Sequence, residues 1–183
     1  MAQAFDVIAY FDYYRRHTYN VVLAWKDIQD LIIENKIINK EEFDKINRLI
    51  IWHDNSKIAA EEFAAYGAKF YPIGSINKEE SKAVFKVAWE HHKAKNIHHH
   101  QTLKDYKGDD WICYLIELIC DWIAFGWETG DLIHEYYDKN KEQIDLPIEY
   151  KNKLESILAL IKKSKCYANE KISDEEQAKL AFR

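Results

Sequence analysis

The chain has 183 residues and a formal charge of −5, and its five glycines and two prolines are few for a fold of many strands and tight turns. That length suits one domain with a proper core and is short for two. The charge leaves no overall basic footprint, so a nucleic-acid duplex is not an expected partner, although a nucleotide substrate stays open.

The expected class is all-α: a single-domain bundle of about six or seven helices. Three cysteines, Cys113, Cys120 and Cys166, form no CxxC pair and no even-numbered disulfide set, which points to a reducing, cytoplasmic setting. The first residues lack a charged segment followed by an apolar run, so no signal peptide is expected. The most hydrophobic stretch, 111–127, is short for a membrane span and carries two acids. It reads as a buried helix, and no membrane partner is expected.

In chain order, Val7, Phe11, Tyr14, Thr18, Val21, Trp25, Ile28 and Ile32 alternate steps of four and three, the seam of an amphipathic helix over about 6–34. His17 sits beside that seam. A second helix opens at Asn39, with Glu42 three residues on in capping-box spacing, and runs to His53. Phe43, Ile46 and Ile50 lead at helical spacing to His53 and aim its imidazole at the core. A lone core histidine is most simply hydrogen-bonded to a carbonyl. Here Asp54 follows at once, and a carboxylate entering the same interior needs a cation or several donors.

Ser56 or a neighbour starts a shorter helix with Phe63, Tyr66 and Phe70 that stops before Pro72. Lys57 then lies near the mouth of the site, where it is either an ordinary solvated lysine or a fixed cation for an anion. Residues 73–77 read as a loop, and Asn77 with Glu80 caps a helix through about 93. Five histidines then fall within ten residues: His91, His92, His98, His99 and His100. They form either a solvated metal-binding tract or part of a site. Helical phase does not choose between His91 and His92, nor loop position between His98 and His99.

The helix from Trp111 to Trp127 is apolar almost all round, and its only formal charges, Glu117 and Asp121, stand four residues apart on one face. Like charges there must be neutralised by protons, basic partners or metal. The basic candidates in neighbouring helices are Arg15, Arg16 and Arg48, and metal is the favoured answer. After Gly126 and Thr129-Gly130 comes a helix with Leu132, Ile133 and Tyr136, on which His134 faces solvent or a boundary. Pro147 opens a last long helix with a stripe of Leu154, Ile157, Leu158 and Ile161. Ser173 and Glu176 cap a short terminal helix. Repeats and interdomain linkers are not evident, so 1–183 is taken as one domain, with a core over about 6–125 and C-terminal helices over 131–183.

His17, the His53-Asp54 doublet, the histidines of 91–99 and Asp121 reproduce in order the pattern of the HD-domain superfamily of metal-dependent phosphohydrolases, which this chain resembles over roughly 6–125. The stretches His-Asp-Asn-Ser-Lys, Ala-Trp-Glu-His-His-Lys-Ala-Lys-Asn-Ile-His-His and Glu-Leu-Ile-Cys-Asp-Trp look most like an uncharacterised HD-like family of phages and bacteria. The resemblance implies that His17, His53, Asp54 and Asp121 hold a first metal ion, with Asp54 or Asp121 able to bridge two. It also implies that one of His91/His92 and one of His98/His99 hold a second. Lys57 matches the lysine of His-Asp-x-Gly-Lys versions, with Ser56 in place of the glycine. No Gly-Tyr-Pro signature occurs, which leaves the cyclic-di-GMP branch unsupported.

Imidazole and carboxylate suit Mn, Fe, Co, Ni or Zn, and the absence of cysteine argues against a structural thiolate site. The implied function is metal-dependent hydrolysis of a nucleotide or other small phosphoester through a metal-activated water, with one or two ions. Catalytic roles fall to Asp54, to Lys57 on a non-reacting phosphate oxygen, and to His92 or His99 as proton donor to the leaving oxygen. Two alternatives use the same ligands: a diiron oxygenase like the inositol oxygenases, or an inactive, metal-stabilised binding module. Nothing in the sequence decides between monomer and homodimer.

Overall fold

A computed structural model describes residues 4–75 and 77–170, and every regular element among them is helical. Eight α-helices follow in order: α1 Val7–Glu34, α2 Lys40–Ile51, α3 Ala60–Phe70, α4 Lys78–Lys95, α5 His100–Leu103, α6 Trp111–Thr129, α7 Ile133–Asn140 and α8 Ile148–Lys163. Short 3-10 turns lie at Asn55–Ile58 and Tyr167–Asn169. None of the described helices is long and apolar enough to cross a membrane. The expected cap at Ser173 and Glu176 lies outside the described residues.

Local chemistry accounts for several helix limits. Asn39 accepts from Glu42 N at 2.9 Å while Glu42 Oε2 accepts from Asn39 N at 2.7 Å, the reciprocal pair that satisfies two otherwise orphaned donors. Asn77 Oδ1 does half of the same for α4, accepting from Glu80 N at 3.3 Å. Gly130, at φ +87°, ends α6 in the left-handed conformation that glycine adopts most readily. The second helix stops at Ile51, so His53 is carried by the turn after it rather than by its last residue.

The chain divides into two compact units: Met1–Arg16 with Asp54–Ile97, and His17–His53 with His98–Arg183. In the first unit α3 and α4 pack together around Tyr10, Ala65, Tyr66 and Ala88, edged by Phe5, Phe63, Tyr71 and Phe85. In the second, α6 packs against α2, α5, α7 and α8. Its extensive burial, with Phe125 and Thr129 left exposed, follows from an apolar surface on almost every side. The expected stripe of α8, Leu154, Ile157, Leu158 and Ile161, is buried as well.

Candidate metal centre

In the second unit the acids of α6 organise the site. Glu117 and Asp121 stand one turn apart, and Glu128 lies two further turns along, so one face carries three carboxylates. Asp121 Oδ1 lies 3.1 Å from Nε2 of His17 and 3.6 Å from Nε2 of His53. The other nitrogen of each ring also meets a carboxylate. His17 Nδ1 is 3.2 Å from Glu128 Oε1, and His53 Nδ1 is 3.0 Å from Glu117 Oε1. Glu117 Oε1 takes a third ring too, with His98 Nδ1 at 3.1 Å. His53, His98 and Asp121 each offer a ligand atom, all within 4.8 Å of one another.

A neutral imidazole has one N–H. Given to an ionised carboxylate at Nδ1, it leaves a lone pair at Nε2, and in His17 and His53 that lone pair faces Asp121. Two lone pairs at such distances repel unless a cation lies between them, either a proton on each ring or a metal ion. Ligand atoms about 2.1 Å from a common ion stand about 3.0–3.4 Å apart at octahedral or tetrahedral angles, close to the separations seen here. The carboxylate behind each ring is the usual device for orienting a metal-binding histidine and raising its basicity. The donor set therefore fits a divalent transition metal.

The ionic alternative finds no support. Among the described residues, Glu117, Asp121 and Glu128 are partnered by His17, His53, His98 and Asn20, not by lysine or arginine. Arg15, Arg16 and Arg48 are all exposed. Burial pushes the Glu117 carboxyl up, but the charge on His98 and the bonds from His53 and His98 outweigh it and hold the group at about 2. Asp121 is treated likewise: burial raises it, and His17 and His53 bring it well below the usual carboxylate range.

The first unit holds a different cluster. Asp54, at φ +55°, sits in the left-handed region that aspartate tolerates better than most residues, and caps the 3-10 turn that carries Lys57. Its Oδ2 is 2.5 Å from Lys57 Nζ, and its Oδ1 is 3.2 Å from His92 Nε2. His92 Nδ1 lies 2.8 Å from Glu62 Oε2, and His91 Nδ1 is 2.8 Å from the other oxygen of Glu62. Burial lowers the affinity of His92 for a proton, but bonds to Asp54 and Glu62 prevail and raise its pKa above the ordinary value.

His17, His53, His98 and Asp121 come together in the second unit, and Asp54, Lys57 and His92 in the first. Of the ambiguous pairs, His92 and His98 are buried, whereas His91 stays partly exposed on Glu62 and His99 caps α5, its ring centroid 4.3 Å from that of His98. His134 sits at a boundary, with Nε2 2.7 Å from Asn169 Oδ1. Ser56 needs no glycine conformation: positive φ falls at Asp54, and Ser56 Oγ donates to Glu62 Oε2 at 3.0 Å.

Three participants were not foreseen. Glu128 has a signal, since it lies seven residues after Asp121 and so on the same helical face. Glu62 has none, because Glu61-Glu62 reads as an ordinary acidic first turn. Asn20 is one turn beyond His17 and donates to Glu128 Oε1 at 3.4 Å.

These features define an all-helical protein with a buried histidine and carboxylate cluster able to hold a metal ion. The chain belongs to the family described as "Family of unknown function (DUF5662)", whose model matches residues 6–172. No curated protein and no solved structure matches it.

Proposed function

We propose that the protein is an HD-type metal-dependent phosphohydrolase acting on a nucleotide or other small phosphoester. One observation carries the metal half of this reading: Asp121 Oδ1 faces Nε2 of both His17 and His53 while Glu128 and Glu117 hold their Nδ1 atoms. The order of His17, His53-Asp54, His92, His98 and Asp121 along the chain, resembling HD proteins, supports the phosphoryl half.

His17, His53, His98 and Asp121 would hold the ion. Bound there, a divalent ion supplies Lewis acidity, acidifying water and offsetting charge on phosphoryl oxygens. Glu117 and Glu128 keep the Nδ1 protons in place, so that the Nε2 atoms of His17 and His53 are the ones presented. Lys57, an ammonium with three N–H donors, would hold a non-reacting phosphoryl oxygen as well as Asp54. His92 holds a proton between Glu62 and Asp54, and that proton is assigned to the leaving oxygen.

Protein purified without a histidine tag and loaded with Mn, Co or Ni should hydrolyse a member of a nucleotide and phosphoester panel. His53→Ala should abolish turnover. Asp54→Asn is the better probe of that position, because alanine at φ +55° adds backbone strain. Absence of turnover across the panel by metal-loaded protein would overturn the proposal. Iron content with oxygen uptake would point instead to the oxygenase chemistry that the same ligands can serve.

A further inference from the structure

Helix α4, which lies wholly within the first unit, buries one side and leaves an apolar strip on the other. Ser81, Ala88 and His92 are buried, with Phe85 and Trp89 half-buried beside them. The opposite side carries Ala83, Val84, Val87 and Ala94, all exposed, Val84 at 52 % and Val87 at 72 %. An outward helix face is ordinarily polar. Here it follows the seven-residue repeat of a helix-to-helix seam, with Glu80, Val87 and Ala94 at one position and Ala83 and Glu90 three residues after the first two.

The charges bordering this seam indicate what covers it. By helical periodicity Glu80, Val84, His91 and Lys95 lie along one flank, and Lys86 and Glu90 along the other. Among the described residues Glu80, Lys86 and Lys95 are exposed and have no ion-pair partner, while Glu90 lies 2.9 Å from Lys93. A two-fold axis at Val87 lays a second copy of α4 antiparallel and sets each flank against itself. Lys95, His91 and Glu90 of the second copy then come level with Glu80, Val84 and Lys86 to within about 3 Å along the axis, inside the reach of long side chains. A parallel copy in register would instead oppose Glu80 to Glu80 and Lys95 to Lys95, and would set the two helix dipoles side by side in the same direction.

We propose that the protein self-associates as a two-fold dimer through the outward face of α4, antiparallel about Val87. The occupant of the apolar strip is the same strip of a second copy, because the bordering charges complement themselves in that one arrangement. A single pair of 18-residue helices is small beside the roughly 800 Å² per partner of a standard interface, so the association is weak and depends on concentration. Nothing in this contact draws on the metal centre, and it stands or falls apart from the proposed function.

Sedimentation equilibrium of the full chain, from micromolar to near-millimolar concentration, should show a monomer in exchange with a dimer. Val87→Glu places two like charges at the axis and should leave only monomer, with the helical circular dichroism retained because Val87 is exposed. Glu80→Lys or Lys95→Glu alone should weaken the dimer about tenfold, since two contacts in each dimer turn repulsive. The double variant Glu80→Lys, Lys95→Glu should recover the wild-type affinity. Within one helix these residues stand about 22 Å apart along the axis, too far to compensate each other, so recovery reports pairing between copies. A chain that stays monomeric at every concentration would overturn the proposal, as would a dimer that survives Val87→Glu. A dimer indifferent to the single exchanges, or not restored by the double one, would overturn it too, because antiparallel pairing is part of it.

Discussion

Glu117 Oε1 stands 3.0 Å from His53 Nδ1, a buried carboxylate behind a buried ring whose opposite nitrogen faces Asp121. The same oxygen also serves His98. Glu117 therefore touches no ion in the proposed centre yet sets two of its ligands. Glu117→Gln keeps the volume and removes the charge. Metal affinity should fall about 10–100-fold, the usual cost of losing such support, while the helical circular dichroism is retained. Calorimetric titration with Mn or Co checks this, and an unchanged Kd would show that Glu117 plays no part in holding the ligands.

Removing the ion should cost the fold. Anything that binds only the native state stabilises it by RT ln(1 + [L]/Kd), about 2.7 kcal/mol at a hundredfold excess over Kd. Chelation should therefore lower Tm by several degrees in scanning calorimetry, and restoring Mn or Co should reverse the shift. Asp121→Asn, which removes the carboxylate shared by His17 and His53, should show no metal-dependent shift and no phosphoester hydrolysis.

Much of the fold was legible because caps and stripes are local. Asn39 with Glu42, Asn77 with Glu80, and Pro147 mark helix starts that the structure reproduces. The face shared by Glu117 and Asp121 needed only helical periodicity. The choice between His91 and His92 was not legible, because α4 shows two apolar stripes of equal weight. Val84, Ala88 and His91 form one and Phe85, Trp89 and His92 the other, and burial follows neither: Val84 is exposed, whereas Ala88 and His92 are buried, the His92 ring beside Tyr66 and Trp89. The division into two units left no mark either. Its boundaries fall inside α1, between His53 and Asp54, and between Ile97 and His98, with no linker composition at any of them. Glu62 escaped notice because the partners that draw it inward, His91 and His92, lie about thirty residues away.

The metal-free protein should be most stable in mildly acidic solution. The Glu117 carboxyl is held at about 2 against an ordinary 4.5, so its contribution is present above pH 4.5 and is lost as pH falls toward 2. Its full size is roughly 3 kcal/mol, from two to three pKa steps of 1.36 kcal/mol each. His92 has the opposite sign. Its raised value gives stability that is complete below its ordinary 6.5 and lost as pH rises through the folded value. Urea midpoints measured with chelator present should therefore peak between pH 4.5 and 6.5 and fall on both sides. Glu117→Gln should flatten the acid limb. Added metal should restore stability on the alkaline side, since its ligands bind once their protons have left.

Gly126 ties the end of α6 to the centre. A Cβ built there would run into the backbone carbonyl oxygen of Asp131, so no side chain fits while the chain turns back after Gly130. Gly126→Ala must either push that turn away or shift the end of the helix itself, where Glu128, two residues on, holds His17 Nδ1. Overpacking of this kind costs about 1–3 kcal/mol. The variant should melt several degrees lower with and without metal, as circular dichroism can measure, and should bind Mn more weakly than the wild type. Gly130→Ala meets no atom within 4 Å but must adopt φ +87°, so it should lower Tm through backbone strain while leaving the Mn Kd near the wild-type value. Equal losses of metal affinity in both variants would mean that the position of Glu128 does not govern the centre.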